Sequence, residues 1–234
     1  MRRFLLSASI FALAACGAAE TTAPPADETI AEPAAAEAEE AVEIEYPAAG
    51  SYEMDPTHAS VTWTISHLGL SNYTVRFNDF DIDLNLNPED LSATTVTATI
   101  DPTSIDANFQ GDYKTGHADS GFETWEEDMS RSERFLNSDA FPEITFTSTA
   151  VTQTGPNTGT VTGDLALIGQ THPVALDVTY NGVTNFPNAP ESDRMGISAT
   201  ATIKRSDFGM TVGQGYLGDD VKVYIEAEFT EVTE

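Results

Sequence analysis

The chain has 234 residues, with 38 Asp and Glu against 10 Lys and Arg, and a formal net charge of −28. A field of that sign repels nucleic acid and anionic head groups, which excludes nucleic acid as a partner. A hydrophobic fraction of 40% with 21% charged residues excludes disorder over the whole length, and the length allows one ordinary domain or two small ones.

Arg2 and Arg3 precede a short apolar run, Phe4 to Ala12, closed by Leu13-Ala14-Ala15-Cys16. The run is too short for a membrane span and has the form of an export signal. Leu, two small residues and Cys form the lipobox pattern of a bacterial lipoprotein, in which the cysteine is acylated and becomes the first mature residue. An ordinary signal cut near Ala15 is the other reading, and leaves Cys16 a free thiol. Cys16 is the sole cysteine, so the mature domain has no disulfide, thiolate metal site or cysteine nucleophile. Gly17 after the cysteine, rather than Asp, points to the outer membrane.

Residues 17–50 hold nine carboxylates, no basic side chain, many alanines and four prolines. This stretch lacks the aromatic and branched residues that a core needs and reads as an extended acidic tether. A lone helix over 31–41 competes, because Ala and Glu favour helix, but it has no apolar stripe. The domain boundaries are therefore 1–16 signal, 17–50 tether and 51–234 folded domain.

From Ser51 onward the sequence reads as strands. Val61, Trp63 and Ile65 alternate with Thr62, Thr64 and Ser66, a period of two. The pattern returns over 75–84, 93–100, 144–151, 160–168, 174–180, 196–203 and 221–232, about eight runs. The connections are rich in turn residues, including 85–88, 154–157 and 185–193, which predicts an antiparallel barrel or sandwich. Asp119 to Asn137 departs from the period: Phe122, Trp125, Met129 and Leu136 share a helical face, so one helix is predicted against the barrel, ending before Pro142. The inner phase includes Val61, Trp63, Ile65, Phe77, Phe146 and Phe229. Phase alone does not distinguish a packed core from a cavity.

Two segments are neither strand nor simple turn, Ser104 to Ser120 and Lys204 to Gly218, and a site is sought there first. The four histidines, His58, His67, His117 and His172, show no helical metal-binding spacing, and no Gly-x-Ser-x-Gly elbow is present. His58 follows Asp55-Pro56-Thr57, where a capped turn is the ordinary role. Asp219-Asp220 lacks the context of a calcium loop. No catalytic residue and no metal ligand is assigned.

Tyr52-Glu53-Met54-Asp55-Pro56-Thr57-His58-Ala59-Ser60-Val61 with Ser66-His67-Leu68-Gly69 resembles the opening signature of the YceI-like family of bacterial envelope proteins. Phe135 to Phe146, Gly163-Asp164-Leu165 to Pro173-Val174, and Arg205-Ser206-Asp207-Phe208-Gly209-Met210 with Gly218-Asp219-Asp220-Val221 resemble its later motifs. The four occur in family order and cover 51–232.

The resemblance implies an extended, lipocalin-like antiparallel β-barrel whose tunnel binds an isoprenoid chain, of a polyprenyl phosphate or a quinone, for carriage, storage or sequestration. It implies a tunnel lined by Trp63, Ile65, Phe77, Phe146, Leu167, Phe208 and Phe229, with His58 and Arg205 as mouth or support residues. A salt bridge to a carboxylate is the alternative role for Arg205. The expected ligand is the lipid, with no other cofactor, and the protein is expected not to be an enzyme. Membrane attachment is expected through lipidated Cys16 in the bacterial envelope, facing the periplasm; a homodimer is left open. Thr74-Val75-Arg76-Phe77 departs from the family, where glycine is common, and would reshape the tunnel there. Removing the signal's two arginines and the tether's nine carboxylates from −28 leaves −21 on the barrel, which favours a neutral head group. A metal-dependent enzyme using His58, His67 or His117, and a ligand-free interaction module, are the competing readings.

Overall fold

The computed structural model describes residues 44–186 and 189–232. The expected signal, Cys16 and most of the tether lie outside them. Among the described residues there are ten strands: β1 Gly50–His67, β2 Ser71–Phe77, β3 Phe80–Leu86, β4 Thr95–Ile100, β5 Ile105–Asp106, β6 Ile144–Gln153, β7 Thr158–Leu167, β8 Gln170–Phe186, β9 Ala189–Lys204 and β10 Leu217–Glu231. Two short helices, α1 Tyr113–His117 and α2 Trp125–Arg131, interrupt them between β5 and β6.

Every pairing between these strands is antiparallel. The sheet runs β10-β9-β8-β7-β6-β4-β3-β1, and β1 pairs back onto β10, which closes an eight-stranded barrel. β1 changes partner along its length: Gly50–Glu53 pairs with β3 and Val61–His67 with β2. Between Met54 and Ala59 its register against β10 slips. Asp55-Pro56-Thr57 accounts for the slip. Pro56 has no N–H to give a ladder, and the Asp55 carboxylate accepts from Thr57 N–H at 2.9 Å and from its hydroxyl at 2.6 Å. The capped turn expected before His58 is therefore a bulge within a strand.

Residues 75–84, one run in the sequence, are divided at Asn78-Asp79, where the backbone turns to bond with 101–104. That pair of turn formers ends β2 and releases β3 to the other half of β1. Asn185 to Asp193, expected as a turn, belongs largely to the long hairpin of β8 and β9.

The single helix expected over 119–137 is shorter than its apolar periodicity. α2 starts where Thr124 Oγ1 accepts from Glu127 N–H at 3.0 Å, and Glu126, Glu127 and Asp128 complement its N-terminus. It stops at Ser132, whose hydroxyl accepts from Arg134 N–H at 3.3 Å. Ser120 makes a similar local bond with Phe122 N–H before it. Such serine bonds compete with helix at both ends.

Two hydrophobic clusters pack inside the barrel. One, around Val61, Val75, Phe77, Met129 and Phe208, lies under the helices. The other, Tyr52, Met54, Leu86, Tyr180 and Met195, closes the end at which β1 begins. Ile44 and Tyr46, assigned by sequence to the tether, pack against that second cluster, and Tyr46 stacks on Tyr180 at 4.9 Å.

Candidate functional site

An apolar cavity of about 270 Å³ lies between these clusters. One water needs only ~10–15 Å³ measured this way, so the space is not a packing defect. Trp63, Ile65, Phe77, Phe146, Leu167 and Phe229 line it, as do other inner-phase residues such as Leu165, Leu176 and Val178. The helical segment contributes Trp125, Met129, Phe135 and Leu136 to the wall. The space itself comes from small side chains that the phase argument passed over. Ala98, Ala199, Ala201 and Ala227 stand at inner positions where a branched residue would fill the barrel. Inner alanines, one on β4, two on β9 and one on β10, are the signal that could have revealed it.

Phe208 does not line the cavity. It sits in a tight turn, 2% exposed, with its ring edge-on to His172 at 5.0 Å. The turn begins as β9 ends, so the strand's alternation no longer sets its direction. Phe146 lies across β7 because residue 163 is glycine; a β-carbon there would collide with its ring and with the Thr147 carbonyl oxygen.

Arg205 does line the cavity and is 3% exposed. Its Nε donates to the Gly218 carbonyl at 2.8 Å, and its Nη1 to those of Met210 and Val212 at 2.9 and 2.6 Å. Among the described residues it forms no salt bridge, the alternative role: the guanidinium clasps the backbone of the β9–β10 loop and supports it. Among the described residues that line the cavity it is the lone formally charged one.

His58 is on the outside of the β1 bulge, away from the cavity lining, with Nδ1 at 3.0 Å from Asp55. Asp55, His58 and Glu228 bring ligand atoms within 4.8 Å of one another, a grouping able to hold a metal ion. Arg194 Nη1 already lies 2.7 Å from Asp55 and 3.6 Å from Glu228, so a cation occupies that carboxylate pair. Hydrogen bonds from Thr57, then His58, then Arg194 hold the Asp55 carboxyl well below the usual carboxylate range. The histidines do not converge. His67 is nine residues further along β1, about 30 Å at strand spacing, and His117 stacks on Tyr113 in α1 at 4.5 Å.

Fold and site together define a closed, lipocalin-like antiparallel barrel with a few short helices and an apolar interior. The YceI-like domain model matches residues 52–229 of the chain, which belongs to that family. A UPF0312 protein of Staphylococcus aureus is 33% identical over 186 residues, 77% of this chain and 97% of that one. One from Pectobacterium atrosepticum is 34% identical over 177 residues, 76% of this chain and 83% of that one. Among solved structures, BcnA of Burkholderia cenocepacia has a TM-score of 0.60 at 20% identity, covering 75% of this chain and 98% of that one. A polyisoprenoid binding domain from Saccharophagus degradans has a TM-score of 0.54 at 12% identity, covering 77% and 98%. At these identities the two structures bear on the fold alone.

Proposed function

We propose that the barrel takes up the apolar chain of an isoprenoid-type lipid, tail first, and holds it without chemical change. The observation that carries this reading is the cavity, because water in it would find almost no polar partner while a hydrocarbon chain would leave water at ~25 cal/mol per Å² buried. The family and the polyisoprenoid binding domain of like fold support the ligand class. Arg205 directs three donors to backbone carbonyls, and the barrel carries −21, so a neutral head group such as a quinone suits the site better than a phosphate. Anchored by a lipidated Cys16, the protein would carry, store or sequester this lipid at the bacterial envelope.

Residues 41–234 form one compact unit, and the Staphylococcus relative consists almost wholly of the matching domain. That unit, purified from a bacterial host and extracted with organic solvent, is expected to yield stoichiometric polyprenyl lipid or isoprenoid quinone by mass spectrometry. Ala201→Trp, which fills the cavity, is expected to abolish the yield while the far-ultraviolet circular dichroism is kept. Repeated lipid-free preparations that also fail to take up added isoprenoid would overturn the proposal. Equal yield from parent and Ala201→Trp would also overturn it.

A further inference from the structure

Leu68 and Gly69 join β1 to β2 with φ of 55° and 68°, and Leu70 N–H donates to the His67 carbonyl at 3.0 Å. A turn with positive φ at both central residues favours Asn, Asp or Gly at the first of them, and Leu is locally unfavourable there. The β7–β8 turn is alike, with Ile168 at 52° and Gly169 at 70°, but Ile168 packs against the core. Leu68 is 56% exposed and Leu70 84%. Leu68 N–H donates to the Tyr216 carbonyl at 2.6 Å, which ties this turn to the β9–β10 loop, where Tyr216 is 50% exposed.

Charge marks the same sector. In a chain of net −28, residues 56–75 and 208–218 contain no Asp, Glu, Lys or Arg. The connection from β5 to β6 is different, with Asp112, Asp119, Glu123, Glu126 and Glu127 in sequence around α1 and α2. The uncharged sector is also continuous with the cavity: Ile65 and Tyr73 flank the turn, Met210, Val212 and Leu217 belong to or border the loop, and all five line the interior.

We propose that this sector, Leu68, Leu70 and Tyr216, docks on the surface of a neutral phospholipid bilayer and passes a lipid chain between bilayer and cavity. Leucines with a tyrosine and no fixed charge match the boundary between acyl chains and head groups. The −21 of the barrel excludes a strongly anionic surface, from which it is repelled within a Debye length. The transfer step rests on the proposed lipid-binding function, but docking itself does not, and the two are measured apart.

The 41–234 unit is mixed with phosphatidylcholine vesicles that carry a minor fraction of isoprenoid quinone; bound protein is measured by flotation and quinone extracted by the protein by mass spectrometry. The parent is expected to bind, Leu68→Glu/Leu70→Glu to bind at least tenfold more weakly, and Ala201→Trp to bind as the parent does while extracting no isoprenoid from the vesicles. Replacing part of the phosphatidylcholine by phosphatidylglycerol is expected to weaken parent binding, with recovery at high salt. No parent binding to neutral vesicles overturns docking. So does a double variant, folded by circular dichroism, that binds undiminished. A parent that is a dimer in solution, becomes monomeric as the double variant and ignores vesicles assigns the patch to a second copy of the chain and likewise overturns it. Binding without extraction by the parent overturns the transfer step alone.

Discussion

Arg205 shows how a charge is accommodated beside an apolar cavity. Its three hydrogen bonds go to carbonyls of a loop that has no regular ladder, so the side chain replaces secondary structure there. Arg205→Met keeps the apolar stem but leaves those acceptors unpaired, at ~1–3 kcal/mol for a buried group. A loss of about 3 kcal/mol in urea unfolding is expected, with early proteolysis within 209–216. Arg205→Lys is not expected to restore stability, because one ammonium does not reproduce the guanidinium fork.

Tyr52 and Tyr180 carry the pH dependence at the closed end. Burial, assisted for Tyr52 by Glu231 and Asp193 and for Tyr180 by Tyr46 and Glu45, pushes both phenols up to about 12. Their hydroxyls donate to the Ala48 and Glu45 carbonyls at 2.8 and 2.9 Å. In the unfolded chain the same groups ionise near 10. Above pH 10 the unfolded state thus binds fewer protons than the folded one, and stability falls as pH rises. The urea midpoint is expected to be insensitive to these groups below pH 10 and to drop between pH 10 and 12. The double variant Tyr52→Phe/Tyr180→Phe should start lower at pH 8 and show a shallower alkaline fall; an unchanged alkaline slope would assign that limb elsewhere.

Among the elements, α2 and the turn after it supply a part of the cavity wall that is not strand, and Asp128 fastens α1 to them. It is 0% exposed, accepts from Tyr113 of α1, and pairs with Arg134 Nη2 at 2.7 and 3.0 Å. Tyr113, His117, Trp125 and Phe135 form a ring ladder beside it. Asp128→Ala strands the Tyr113 hydroxyl, while Arg134, half exposed, regains water. A cost of about 2–3 kcal/mol is expected, or a Tm lower by ~5–10 °C for a unit of this size. Trp125 fluorescence should shift red, whereas Arg134→Ala should do less in both measurements. The apolar face of this segment was legible in the sequence. The shortness of α2 was not, because serine side chains at 120 and 132 bracket it with local alternatives for the backbone that periodicity does not register.

At the scale of the whole molecule, the alternating phase from Val61 onward was enough to place Trp63, Ile65, Phe77, Phe146, Leu167 and Phe229 inside a barrel, since side-chain direction follows from a period of two. The phase does not reach Phe208, which the resemblance alone placed in the tunnel and which lies where the strand has ended, and His58 sits beside a bulge that breaks the register. Tyr46 shows the same limit at the boundary of the tether, since one aromatic in an acidic stretch gives no period, and only its stack on Tyr180 reveals that it belongs to the domain.

The sequence by itself determined an acidic, all-β domain with an apolar inner phase and a charge-free stretch on either side of Leu68, because composition and alternation are local properties. Tertiary structure decided that the interior stays open, because a cavity depends on which residues face one another across the barrel. Four alanines from β4, β9 and β10 meet there, and no single strand records their meeting. It also decided the role of Arg205 and brought Tyr216 to Leu68, since both depend on a loop folding back over strands far from it in the chain.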